Sequence, residues 1–574
     1  MKHKAGTIIL WLFCIVLHGQ NYTLEIHSQD LEKWPVKLKT SYPSESALKK
    51  SLNEAIELLR NDGYLAASLD SGILRETSYH AYVFTGPQFT WAELYPLEAD
   101  GGALSSAGYR ERLYKNRPLK LQSTKRMMGK IVSFYENHGY PFASVKFDSI
   151  EINQGIVRAG IRVKKGELIT IDSVSIRGNA KITQRYLYNY IGVKPGDLYN
   201  ESLIRSIDTR IKELPFLSQQ RPAEVFLLDE LALVRLYLQN KKASSFNGII
   251  GFLPNNEISG KLLITGEANL RLKNAIGKGE TIIAEWRRLQ NLTQSLNIQL
   301  AWPFILNSRI GADAQLGLYK RDTTFLNVNT GLGIQYLMKG TDYLKVFFEN
   351  KRSSLLSTRG LENLLTLPDY ADTRTGQYGL ELSLTRLDYR LNPRKGYRLL
   401  MRVGAGNRII ERNPGLNAQI YDGLLLKTIQ YTGYLDADVF LPIRSRSVFT
   451  SGLLCGLVGG PSVFENELHR IGGNNSLRGF DEESIFSSAY SILNLEYRYL
   501  LEENSFLFLF FNGAYYENTA INRNVHDLPY GLGAGLSFET KAGIFSISYA
   551  LGSQFGNPPE TRNAKVHFGI TSLF

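Results

Sequence analysis

Arg478 stands in the most chemically suggestive setting of this 574-residue chain, the run Ile471-Gly-Gly-Asn-Asn-Ser-Leu-Arg-Gly-Phe480. A glycine-rich loop holding a single guanidinium can cradle phosphate, but that use needs a following Gly-Lys-Ser/Thr and a strand-to-helix setting. Neither is present. The eight histidines (His3, His18, His27, His80, His138, His469, His526 and His567) show no ligand spacing, so no metal site is expected. Ser, His and Asn occur without a recognisable nucleophile setting, so neither catalysis nor a cofactor is expected. What remains is position. About a hundred residues after the loop the chain alternates and stops on Phe574, as the closing strand of an outer-membrane β-barrel does. An Arg-Gly-Phe loop upstream of such a strand suggests a segment that reaches into a barrel lumen.

Composition narrows the setting. Lys and Arg number 66 against 54 Asp and Glu, a net charge of +12, which suits anionic phosphates of nucleic acid, lipopolysaccharide or phospholipid without choosing among them. Lys2 and Lys4 precede an apolar run from Ile8 to Leu17, followed by polar His18 to Asn21. This reads as a cleaved export signal over residues 1–20. Cys14 lies within it behind Phe13, without the small residue that precedes a lipidated cysteine. The mature chain then keeps only Cys455, which excludes an internal disulfide and a cysteine metal cluster. Past the signal there is no apolar run of about 18 residues, so a bilayer is crossed by strands or not at all.

Two periodicities divide the chain near Lys241-Lys242-Ala243-Ser244. In the first half, Leu48, Leu52, Ala55, Ile56 and Leu59 follow helical spacing and Gly63 is placed to stop the helix. Met127, Met128, Ile131, Phe134 and Tyr135 repeat the stripe, and Gly139 repeats the stop. A third unit runs from Ile169–Ile176 through Gly178-Asn179 to Leu203, Ile207, Ile211 and Leu214, with Leu214-Pro215-Phe216 in place of Gly-Tyr. Each unit closes on strand-like residues: Tyr82 and Phe84, then Val157–Val163, then Val225–Leu238. The expectation is a βααββ module three times over, at 21–88, 89–166 and 167–242.

From 243 to 574 alternation takes over. Val328, Thr330, Leu332, Ile334 and Tyr336 interleave with Asn329, Gly331, Gly333 and Gln335. Leu532, Ala534, Leu536 and Phe538 interleave with glycine, serine and glutamate, and Phe545, Ile547, Tyr549 and Leu551 with Ser546, Ser548 and Ala550. One face suits lipid and the other water. At roughly 20 residues per strand and connection this length allows about 16 antiparallel strands.

The chain resembles the outer-membrane assembly superfamily typified by BamA and TamA, in which periplasmic POTRA repeats precede a β-barrel of surface-antigen type. The resemblance covers essentially the whole mature chain. It is carried by Val174-Ser-Ile-Arg-Gly-Asn179 and Gly196-Asp-Leu-Tyr-Asn200 in the third module, by Asp388, Pro393 and Gly396 within a mid-barrel hairpin, and above all by Gly472, Gly473, Leu477, Arg478, Gly479 and Phe480. It implies that this loop folds back into the barrel and that its arginine meets acidic groups on the inner wall. Leu493-Asn-Leu-Glu-Tyr-Arg498 matches the strand supplying one of them, and alternation turns Glu496 and Arg498 inward. A desolvated arginine must be paired, and Glu496 is its natural partner. On the next strand the family often shows Phe-x-Asp-x-Gly; here Asn512 replaces the aspartate and Gly513 comes one place early.

The same resemblance implies an assembly or translocation factor, not an enzyme, in the bacterial outer membrane with its N-terminal domains in the periplasm. Its partners would be unfolded outer-membrane or secreted client proteins, membrane lipids and possible accessory subunits, with no nucleic acid and no cofactor. Clients would add strands to exposed POTRA edges and enter lipid through a lateral seam between the first strand, around Phe246–Leu253, and the last, Lys565–Phe574. Gly248, Gly251, Gly569 and Phe574 belong to that seam, where glycine weakens pairing. The rivals are a two-partner secretion transporter exporting one dedicated polypeptide and a passive porin.

Overall fold

The computed structural model describes residues 21–28, 38–254, 262–289, 293–338, 340–362, 364–366, 368–389 and 391–573. The expected export signal and Phe574 lie outside them. Two compact units are present: Met1–Ser173 with Pro195–Arg205 and Val225–Leu233, and Val174–Lys194 with Ser206–Glu224 and Val234–Phe574.

In the first unit, helix Glu45–Asn61 begins where the Ser44 hydroxyl accepts the Ala47 N–H at 3.2 Å, satisfying one orphan donor of the first turn. Its buried face is Leu48, Leu52, Ala55, Ile56 and Leu59. Gly63 follows the helix at φ +103°, a conformation that favours glycine. The helix packs on a four-stranded sheet ordered Ser41–Tyr42, Tyr22–His27, Ser78–Phe84, Ser68–Arg75, whose central strands are parallel. A second sheet repeats this plan as Arg117–Pro118, Thr90–Pro96, Ile156–Lys164, Ser144–Asn153. Helix Leu121–Glu136 covers it with Met127, Ile131 and Tyr135 buried, and Gly139 ends the turn at φ +95°. A parallel central pair requires a crossover connection, which the helices supply.

The third small sheet is ordered Leu217–Leu228, Leu231–Asn240, Thr170–Arg177, with helices Gln184–Ile191 and Glu201–Glu213 in the connection. The strand-like stretch Val225–Leu238 turns at Asp229, where φ is +50°, and forms the hairpin of the two strands that close the module. One detail differs from the sequence reading. The first module shows one helix among the described residues, where two are expected.

The barrel is closed by sixteen antiparallel strands, from Ser245–Pro254 to Lys565–Leu573, with a short extra strand Val525–Asp527 on one rim. Among the described residues no helix is long and apolar enough to cross a membrane. Burial runs opposite to that of a soluble protein. Leu332, Ile334 and Tyr336 are 66%, 61% and 52% exposed, whereas Gln335, Lys345, Glu349 and Glu381 are buried. An apolar outer band around a polar interior is the arrangement lipid selects. The inner charges are paired: Lys345 with Glu381 at 2.8 Å and Arg402 with Glu349 at 3.0 Å.

Strand Phe506–Asn518 breaks the expected two-faced pattern. Leu507, Leu509 and Phe511 face outward as elsewhere, but Phe508 and Phe510 are buried on the inner side. The neighbouring strand makes room. Gly535 and Gly533 stand opposite these rings, and a Cβ on Gly533 would lie 2.6 Å from the Phe510 ring. The mid-barrel hairpin is held by Asp388, whose carboxylate accepts the Tyr389, Arg394 and Lys395 N–H groups at 2.9, 3.0 and 3.0 Å. Gly396, at φ +121°, follows it.

Candidate functional site

Between strands Ser447–Gly459 and Ala489–Leu500 the chain leaves the wall and runs inside the barrel. A 3-10 turn, Glu465–Glu467, leads into a two-stranded ribbon that pairs His469–Ile471 with Ile485–Ser487, and the glycine-rich run forms its tip. Among the described residues the ribbon pairs with no third strand, and much of its hold on the wall comes from side-chain pairs.

At the base, Arg408 is 1% exposed and grips Glu467 with both arms, Nε to Oε1 at 2.7 Å and Nη2 to Oε2 at 2.6 Å. Its remaining hydrogens reach the Pro461 and Ser462 carbonyls at 3.1 and 2.9 Å. A guanidinium so buried needs every donor used. Arg321 donates to Glu465 at 2.7 Å, and the Asn466 amide donates to the Ala371 carbonyl at 2.8 Å. Higher up, Glu483 accepts from Arg287 of the wall at 3.0 Å and from Arg470 of the ribbon at 2.8 Å. Arg470 also lies 3.6 Å from the Tyr319 ring centre.

At the tip, Gly472 and Gly473 take φ +116° and +91°, reversing the chain where a side chain would strain it. Leu477 is fully buried among Ile471, Ile485, Tyr490, Ile492 and Ala514, with Phe480 packed against the same cluster. Arg478 donates from Nη1 to Glu496 Oε2 at 2.7 Å and from Nε to Asn512 Oδ1 at 2.9 Å. Its guanidinium stacks 3.6 Å from the Phe510 ring centre, which explains an aromatic on the inner face. Glu496 is shared. Its other oxygen accepts from Arg498 at 2.8 Å, and Arg498 reaches Asn392 of the mid-barrel hairpin at 3.1 Å. Asn512 donates in turn to Asn494.

The structure therefore brings Arg478, Glu496, Arg498 and Asn512 into one hydrogen-bonded group, with the uncharged Asn512 in an accepting role. Gly479, at φ +97°, lets the backbone press on the wall beside Gly552. The sequence reading missed Arg287, Arg321, Arg408, Glu465, Glu467 and Glu483. One signal was available: the acidic run Asp481-Glu482-Glu483 directly after the Arg-Gly-Phe triplet. Asp481 pairs at 2.5 Å with Lys565, a residue of the last strand.

At the seam, residues 245–251 of the first strand pair antiparallel with residues 567–573 of the last. Gly248 stands opposite Ile570, Gly251 opposite His567 and Gly569 opposite Ile249. That pairing spans seven residues on each strand, as does the neighbouring one between 544–550 and 565–571, whereas Thr373–Leu387 and Gly396–Ile410 pair along fifteen. A cavity of about 600 Å³ is lined by Lys345, Glu349, Glu381 and Arg402 of the barrel wall together with Tyr190 and Phe216 of the third module.

Comparison with known proteins agrees with this architecture. Residues 274–574, more than half of the chain, match the Omp85 superfamily domain. Residues 169–219 match the POTRA model described as the surface antigen variable number repeat. Among solved structures, CdiB from Acinetobacter baumannii aligns with a TM-score of 0.56 at 12% identity, over 92% of this chain and 98% of its own. CdiB from Escherichia coli gives 0.55 at 14%, over 92% and 97%. BamA from Haemophilus ducreyi lacking POTRA domains 1-3 gives 0.46 at 13%, over 85% and 100%. No curated protein matches by sequence. With a closed outer-membrane barrel, a POTRA module before it and an arginine loop clamped inside it, this chain is a member of the Omp85 superfamily.

Proposed function

We propose that this chain inserts client proteins into the outer membrane through its seam, receiving them on three POTRA modules, at 21–88, 89–166 and 167–242, that face the periplasm. Omp85 proteins insert or translocate polypeptides across the outer membrane; insertion through the wall is the more specific reading. The observation that carries it is the seam. A client strand can leave no backbone group unpaired in lipid, so it needs a template edge that opens at low cost, and the pairing of 245–251 with 567–573 joins the first strand to the last, is among the short ones and bears glycine on both strands. On its inner face Asn247 Oδ1 and His567 Nε2 are buried without a hydrogen-bond partner among the described residues. Buried polar atoms left unpaired are costly, which weakens the closed state further.

A passive porin fits poorly, because the ribbon is clamped to strands spread around the bore: Arg287, Arg321, Arg408, Glu496 and Lys565 each lie on a different one. Such anchoring gives the ribbon a fixed place within the bore, which a passive pore does not need.

The test is a seam lock. Gly248→Cys with Ile570→Cys, in a Cys455→Ser background, places thiols at facing positions; a Cβ on Gly248 lies 3.7 Å from the Ile570 side chain. Oxidation is expected to deplete many barrel proteins from the outer membrane, and reduction to restore them. If the oxidised chain works normally, lateral insertion fails. Loss of a single exported polypeptide would instead identify dedicated secretion.

A further inference from the structure

The outer face of the first small sheet gathers three metal-binding side chains that lie far apart in sequence. Strands Tyr22–His27 and Ser78–Phe84 run parallel with Glu25 opposite His80 and His27 opposite Tyr82. Side chains two apart share a face, so Glu25, His27, His80 and Tyr82 all point away from the core that Leu24, Ile26, Tyr79, Ala81 and Val83 form. Glu25 Oε2 lies 3.1 Å from His80 Nδ1, and His27 Nε2 lies 3.2 Å from the same nitrogen. The three donor atoms fall within 4.8 Å of one another.

We propose that Glu25, His27 and His80 bind a first-row transition-metal ion, of which zinc is the natural probe, and that this ion staples the N-terminal strand to its parallel neighbour. With metal–donor distances of about 2.0–2.1 Å, donors on a tetrahedral ion sit about 3.3 Å apart, and the two measured separations match that edge. Two imidazoles and one carboxylate are a donor set that zinc, nickel and copper accept. The Tyr82 ring stacks 4.9 Å from the His27 ring and so orients it before any ion arrives. Three protein donors leave a fourth position for water. The staple closes a loop of more than fifty residues between His27 and His80, which is where a cross-link most constrains the unfolded chain.

Zinc titration of the detergent-solubilised full chain, prepared without a polyhistidine tag and competed against a chromophoric chelator, tests this. One zinc ion per chain is expected, with affinity falling at least tenfold in His27→Gln and in His80→Gln. Cobalt should give the visible absorption of a tetrahedral site in the native chain and lose it in His80→Gln. Zinc should also slow hydrogen exchange of the Tyr22–His27 amides in the native chain alone. Glu25→Gln, at an exposed position, provides a variant with the fold kept and one donor weakened. No binding by the native chain, or binding unchanged in the His27→Gln/His80→Gln double variant, would overturn the site.

Discussion

The carbonyl oxygen of Arg478 occupies the place where a side chain on Gly531 would begin. The loop therefore touches the barrel wall through backbone as well as through its guanidinium. Gly531→Val fills that space and is expected to push the tip off the wall, at the 1–3 kcal/mol typical of overpacking. Trypsin cleavage after Arg478 should appear in folded barrels of the variant and not in the native chain.

Glu496 holds two guanidinium groups at once. Glu496→Gln leaves Arg478 and Arg498 facing each other without a counter-charge, a loss of about 3–5 kcal/mol for a broken buried pair. The expected readout is a lower temperature at which the barrel loses its compact form on unheated gels. Asn512→Asp is the contrasting case: it offers Arg478 a second carboxylate while giving up the donation to Asn494, so its melting should stay near that of the native chain.

Arg408 and Glu467 set the base of the ribbon. Arg408→Ala strands the Glu467 carboxylate and the Pro461 and Ser462 carbonyls that the guanidinium now serves. This variant should be at least as damaging as Glu496→Gln, by about 3–5 kcal/mol, and the same gel assay would rank the two.

In the second module the Asp100 carboxylate is held below its ordinary range, first by Lys165 and then by the Tyr135 hydroxyl. A depressed carboxylate stabilises the fold above its unfolded value and loses that contribution as pH falls through the lower folded value. Amide exchange in helix Gly101–Ala107 is thus expected to accelerate only in acid, below about pH 4. Asp100→Asn should remove the pH dependence and leave exchange at neutral pH slightly faster.

The barrel was legible because its signal is local: alternation along one strand states which side chains meet lipid, and Leu332, Ile334 and Tyr336 are exposed as their spacing requires. Arg478 and Glu496 were legible through family motif and strand parity together. The clamps at Arg287, Arg321 and Arg408 were not. Each joins a wall residue to a loop residue through a fold-back that no periodicity encodes. The inward Phe508 and Phe510 were hidden for a related reason, since their rings fill space left by glycines one strand away. The His27 and His80 pair shows the same limit, as parallel pairing across a long connection cannot be read from spacing.

Lys565 ties the final strand to Asp481 at the ribbon tip. Peeling that strand outward from Ser245–Gly251, as the proposed seam opening requires, would stretch or break this ion pair, while Arg287, Arg321, Arg408 and Glu496 would still hold the ribbon to the rest of the wall. The lipid-facing edge is thereby coupled to the bore through one ammonium that can let go alone.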